Sequence, residues 1–306
     1  MHKIINIIKW LLSRVAVIYI VVFIFCLTCI DFKMLDMRIK IRHLNDSIPD
    51  FADMILFSKD QNMKKEVDWK RYENYFELIV RYMPDDLITR QLLGYADFYS
   101  GQEQEAITLF KNSALINGQS LFWPNYNLGV VYYKKGMWPQ AAEYSLKAIE
   151  SSPKLTLILM QDSMVYKQIF TSPFFKYSLR DEMNDAKSKA YVVLLSSLHN
   201  MGQDAKMILI SKIAIEDQNL TDKGAFYYYA GLSYFEMNQM EKAFLLFQKS
   251  LSIDQNNPDV YFYMASIYEK AGQLQQAKQL LEICYALHQK NDPRFPYERE
   301  VNLRFF

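Results

Sequence analysis

The chain has 306 residues, of which 35 are basic and 34 acidic, for a formal charge of +1. With no field of one sign, nucleic acid and acidic lipid headgroups are disfavoured as electrostatic partners. The length permits one or two domains and a large core, while 15% aromatic residues with only 9 Gly and 9 Pro disfavour a turn-rich all-β fold. Cys26 and Cys29 lie in an apolar N-terminal segment and leave Cys284 alone, so no disulfide framework or thiolate metal site is expected.

In chain order, residues 1–30 come first. Val15 to Ile30 reads "VAVIYIVVFIFCLTCI", uncharged and extended upstream by Leu11 and Leu12. Roughly 20 mostly apolar residues span the hydrocarbon of a bilayer, so a transmembrane helix over about 10–30 is expected. The competing reading is a cleaved secretory signal with Lys3, Lys9 and Arg14 as its basic leader. The long apolar run and the lack of a small-x-small site favour an uncleaved anchor. The basic leader favours an N-in orientation, with the rest on the far side (the periplasm, in a bacterium). The sequence thus predicts a single-pass membrane protein. Residues 31–64 form a juxtamembrane connector, either a stalk or surface helix or a helix packed on the next domain.

Beyond the connector the chain repeats itself. Gly94, Gly129, Gly231 and Ala265 align as one small position, with steps of 35 residues for the first pair and 34 for the last. Seven residues later stand Gly101, Gly136, Asn238 and Gly272; twelve later, Ala106, Ala141, Ala243 and Ala277. Sixteen later come Phe110, Ser145, Phe247 and Leu281, and nineteen later Ser113, Ala148, Ser250 and Cys284. Such columns describe a helix, a turn and an antiparallel helix. Small residues sit where the two helices cross, and the Gly or Asn suits a left-handed helix terminus. A hairpin cannot cover its own apolar face, so successive hairpins stack into a solenoid.

The pattern resembles the tetratricopeptide repeat over 87–153 and 224–288. The resemblance implies an all-α, right-handed solenoid of helical hairpins. Residues 65–86 read as the second helix of an earlier degraded unit ending at Pro84, which makes 65–153 the N-terminal repeat region. Residues 154–186, broken at Pro173, read as a divergent or inserted segment. Residues 187–288 form the C-terminal repeat region, opening with a weak unit whose turn at Gly202 reads as shortened. In the tail, 289–306, Asp292 before Pro293 suits the start of a capping helix, and Phe295, Phe305 and Phe306 call for packing on the last hairpin or on another subunit.

In tetratricopeptide repeats, ligands commonly lie in the concave face lined by the first helix of each hairpin. Counted from the small position, the resemblance implies a groove with Tyr95, Phe98, Trp123, Tyr126, Tyr133, Tyr228, Phe235 and Phe262 as its aromatic residues. Such side chains give large contact area at low entropic cost, so the expected partner is a protein or peptide with apolar anchors. The competing reading is that these rings pack within the solenoid or cover a segment of the same chain. Family members that capture a C-terminal carboxylate use groove Lys, Arg and Asn. Here Asn127 alone matches, with Gln91 and Tyr95 in place of the Lys and Asn, so that mode is disfavoured.

His2, His43, His199 and His288 are not paired at metal-ligand spacing, and no catalytic or nucleotide-binding motif occurs. Asp85–Asp86, Asp181–Glu182 and Asp254 suit helix starts and turns. The expectation is a non-catalytic scaffold or adaptor, without cofactor or metal, holding another protein at a membrane within a larger assembly. The alternative is a constitutive subunit of a membrane complex that contacts its neighbours through the transmembrane helix and the convex face.

Overall fold

The protein is described by a computed structural model covering residues 69–116, 118–152 and 179–290, with residues 14, 15, 17–20, 35, 36, 39, 154–156 and 158. Among the described residues a lone helix, α1 (Trp69–Tyr82), precedes five hairpins. These are α2 (Leu87–Ser100) with α3 (Glu103–Ser113), α4 (Phe122–Lys134) with α5 (Trp138–Glu150), and α6 (Leu179–Asn200) with α7 (Asp204–Glu216). The last two are α8 (Lys223–Glu236) with α9 (Met240–Ile253) and α10 (Pro258–Lys270) with α11 (Leu274–Lys290). A two-residue antiparallel ladder, β1 (Leu115–Ile116) with β2 (Gln119–Ser120), joins α3 to α4. The architecture is an all-α tetratricopeptide-like solenoid.

Each hairpin closes the same way. Gly101, Gly136, Gly202, Asn238 and Gly272 carry φ of 92, 70, 65, 59 and 75°. The next residue then donates its N–H to the carbonyl five positions back, as Gln102 does to Asp97 at 2.7 Å and Gln203 to Leu198 at 2.9 Å. That bond satisfies a carbonyl the helix end leaves open, and the left-handed turn is why four of the five residues lack a Cβ. The turn at Gly202 is therefore full-length and not shortened.

At the crossings, Ala106, Ala141 and Ala243 are sealed from solvent and Ala277 nearly so. A Cβ added to Gly94 would stand 2.7 Å from the Phe110 ring, one on Gly129 2.6 Å from Ser145 Oγ, and one on Gly231 2.8 Å from the Phe247 ring. The small column and the column sixteen later thus face each other across every such hairpin. The third hairpin exchanges their sizes: Leu195 holds the small position, Met207 the alanine position and Ser211 the ring position, all buried.

Each second helix packs on the first helix of the next hairpin, and α6 lies directly against α5 although 28 residues separate them in the chain. The solenoid therefore continues past that interval. The expected divergent segment 154–186 ends inside α6, which begins at Leu179. Asp86 caps α2 by accepting from Thr89 N at 2.8 Å. The ion pair Lys189–Asp222, 2.9 Å and largely buried, ties α6 to the start of α8. Successive first helices α4, α6, α8 and α10 also touch one another, so they form the inner wall.

Among the described residues no helix is long and apolar enough to cross a membrane. The expectation of a single-pass membrane protein with its bulk on the far side is overturned on that finding. Most of the 10–30 segment, nearly all of the 31–64 connector and the tail from residue 291 lie outside the described residues.

Candidate protein-interaction surface

The inner wall is built from first-helix side chains, and it divides the eight predicted groove aromatics. Tyr95, Trp123, Tyr126 and Tyr228 are 0–2% exposed and belong to the core. Tyr95 packs at 5.4 Å on Trp69 of α1, Tyr126 stacks at 6.1 Å on Phe122, and Tyr228 lies 6.4 Å from Phe247. Phe98, Tyr133 and Phe235 are half-buried against that core. Phe262, on α10, is 48% exposed.

Polar contacts stitch the wall between repeats. Asn127 Nδ2 donates to Gln91 Oε1 at 3.3 Å, joining α4 to α2, and the Tyr133 hydroxyl bonds Ser196 Oγ at 2.8 Å, joining α4 to α6. The Asn127 amide thus has a partner within the scaffold. At the C-terminal end Phe262 meets Tyr263 edge-on at 5.5 Å, Tyr263 meets Phe235 at 5.1 Å, and Lys270 Nζ lies 4.6 Å from the Phe235 ring centre. Burial, with help from Glu236 and Asp259, pushes the Tyr263 phenol up to about 12, so it stays a neutral donor at physiological pH. The result is an aromatic shelf with a cation on one rim.

The convex side carries a feature the sequence did not disclose. Pro139, Ala142 and Leu146 of α5 face Leu209 and Ile210 of α7 across a floor of Leu194 and Leu198, enclosing a groove of about 520 Å³. Met240, Phe244 and Leu245 of α9, with Ile267, Tyr268 and Ala271 of α10, form one of about 570 Å³. The two use equivalent repeat positions: Ala142 corresponds to Phe244, Leu198 to Tyr268 and Met201 to Ala271. Leu209 and Leu245, both nearly 60% exposed, stand on their rims. A sequence cannot show them because each arises from helices of neighbouring hairpins.

The buried charge near α1 is electrostatically unusual. Glu73 accepts from Lys70 Nζ and, at 3.1 Å, from Ser100 Oγ. Burial pushes its carboxyl up, but hydrogen bonds from Lys70, Gln102 and Ser100 hold it below the usual carboxylate range. Asp97, facing it from α2, is pushed up to about 7, first by burial and then by Glu73, Glu77 and Glu105. These groups sit under packed helices, and no cluster of three or more potential metal ligands occurs among the described residues.

Residues 225–257 and 246–279 match two tetratricopeptide-repeat family models. The chain carries tetratricopeptide repeats. No curated protein matches it. Solved structures of similar form include MamA (residues 41 to end) from Desulfovibrio magneticus RS-1, 15% identical with a TM-score of 0.47, covering 68% of this chain and 98% of that one. BtubC from P. vanneervenii is 14% identical with a TM-score of 0.47, covering 74% of this chain and 92% of that one. The TPR2AB domain of yeast Sti1, solved as a complex with pHSP90, is 12% identical with a TM-score of 0.29, covering 74% of this chain and 90% of that one.

Proposed function

We propose that this chain is a non-catalytic scaffold that binds a protein or peptide through the C-terminal half of its inner wall. Phe262 and Phe235, extended by Tyr133 and Phe98, are the contact residues; Tyr95, Trp123, Tyr126 and Tyr228 are the packing that holds the wall in place. The carrying observation is Phe262, a large ring half exposed on a shelf of half-buried aromatics, where a partner's apolar side chain gains contact without ordering loose groups. Lys270 at the rim favours a partner with an acidic residue beside its apolar anchor.

A second reading is supported by the paired convex grooves with Leu209 and Leu245 on their rims, which suit stable contact with a neighbouring subunit. A photo-cross-linking phenylalanine analogue at position 262 or at position 209, in the cell that makes the protein, separates the two. The inner-wall reading predicts one dominant partner adduct at 262, and about a thirtyfold loss of affinity for that partner in Phe262→Asp with helicity unchanged. Adducts at 209 and none at 262 would transfer the function to the convex side.

A further inference from the structure

Three residues past the small position, four of the first helices carry Tyr132, Leu198, Tyr234 and Tyr268, whereas α2 carries Asp97. That position faces the helix before it. Lys111 Nζ of α3 lies 5.7 Å from the centre of the Tyr132 ring, and Tyr268 meets Phe244 of α9 at 5.3 Å. For α2 the helix before it is α1, which packs there through Trp69, 5.4 Å from the Tyr95 ring and 5.1 Å from that of Tyr99. Beside this aromatic contact two carboxylates are enclosed, Asp97 at 4% exposed and Glu73 of α1 at 3%. Lys70, Ser100 and Gln102 donate to Glu73 and keep it ionised. Asp97 therefore bears burial beside a fixed negative charge, to which the half-buried Glu77 of α1 and the exposed Glu105 of α3 add. Lys70 opposes them weakly, because its side chain is 63% exposed.

We propose that Glu73 and Asp97 form a proton-operated latch on α1: with Asp97 protonated α1 stays docked on α2, and loss of that proton shifts α1 toward a detached state that uncovers Tyr95 and Tyr99. Two like charges cannot share a dry site cheaply, so the carboxyl that lacks a cation keeps its proton while the helices are together. When α1 lifts, water reaches Asp97 and its carboxyl ionises as an ordinary one does, so detachment releases a proton. The direction of the response follows. Docked, the Asp97 carboxyl is raised from an ordinary 3.8 to about 7. Docking is therefore strongest in acid, weakens as pH rises from about 4 to about 7, and levels off above. Between pH 5 and pH 8 the docking equilibrium falls by up to about eightyfold. A helix of 14 residues is too short to persist alone, so detached α1 unravels and its amides exchange.

The test uses the full chain. Amide-exchange protection factors, which remove the pH dependence of the exchange chemistry itself, are measured for α1 from pH 5 to pH 8, with α8 and α9 as the reference. Protection of α1 should fall at least about tenfold across that range while α8 and α9 keep theirs. In Asp97→Asn the α1 profile should be flat and lie above wild type at pH 8. In Glu73→Gln the facing charge is gone, so the pH at which the fall levels off should move down, a shift that a residue serving only to pack would not produce. A flat α1 profile in wild type, an equal fall in α8 and α9, or a Glu73→Gln profile that levels off at the wild-type pH would overturn the proposal.

Discussion

Gly231→Ala tests the crossing of α8 and α9 directly. The added methyl would stand 2.8 Å from two atoms of the Phe247 ring and 3.3 Å from the Ala243 carbonyl oxygen, inside normal contact on both counts. Alanine in a helix interior is worth about 1 kcal/mol over glycine, whereas overpacking a filled site costs about 1–3 kcal/mol. The expected net is a destabilisation of roughly 1 kcal/mol. The diagnostic is what happens without the ring. In a Phe247→Leu background the ring overlap is relieved and only the milder 3.3 Å approach to the Ala243 carbonyl remains, so with the propensity gain Gly231→Ala should become neutral or stabilising by up to about 1 kcal/mol. Urea denaturation of the four proteins measures this cycle, with a coupling of at least about 1 kcal/mol expected for residues in contact. An equal cost in both backgrounds would refute the pairing of the two columns.

Asp97→Asn tests the buried carboxylate. A folded pKa raised to about 7 means that the native state holds the proton more tightly than the unfolded chain. The wild type should therefore lose stability as pH rises from about 4 to about 7 and level off above, by at most roughly 4 kcal/mol from this group. Asn at 97 should flatten that fall and be the more stable protein at pH 8; urea midpoints at pH 5 and 8 check it. Lys223 Nζ donates to the carbonyls of Ala214 and Ile215 at 2.8 Å and to that of Asp217, closing the end of α7. Lys223→Met should cost about 1–2 kcal/mol and loosen exchange at the α7–α8 junction before the rest of the chain. Asn238, the one non-glycine turn residue, has φ 59°; Asn238→Ala should cost about 1–2 kcal/mol, and Asn238→Gly should cost nothing in thermal melts.

The hairpins were legible because their rules act through single residues at fixed spacing. A left-handed turn selects Gly or Asn, and a close crossing selects Ala opposite Gly. The third hairpin reads only as a weak unit because it keeps the crossing volume while exchanging its parts. Leu195 and Ser211 fill the space that Gly231 and Phe247 fill elsewhere, so a search for small residues at the first position passes over it. For the same reason the divergent segment was drawn to residue 186, inside α6. The inner wall was only half legible. Spacing places a ring on a helix side but does not say how deep it sits: Tyr126 and Phe262 hold the same repeat position, three before the small residue, with opposite exposure.

Direct contact between α4 and α6, across the interval that separates them in sequence, is the point on which one continuous solenoid stands. With the native cysteines changed to serine, Tyr133→Cys and Ser196→Cys place thiols at the site where the Tyr133 hydroxyl and Ser196 Oγ are 2.8 Å apart. Treated with a short bifunctional maleimide at high dilution, this protein should form one intramolecular link between 133 and 196, read by peptide mass spectrometry. Failure to link, while a pair placed across the α4–α5 crossing links readily, would mean that the hairpins before and after the interval do not share one inner wall.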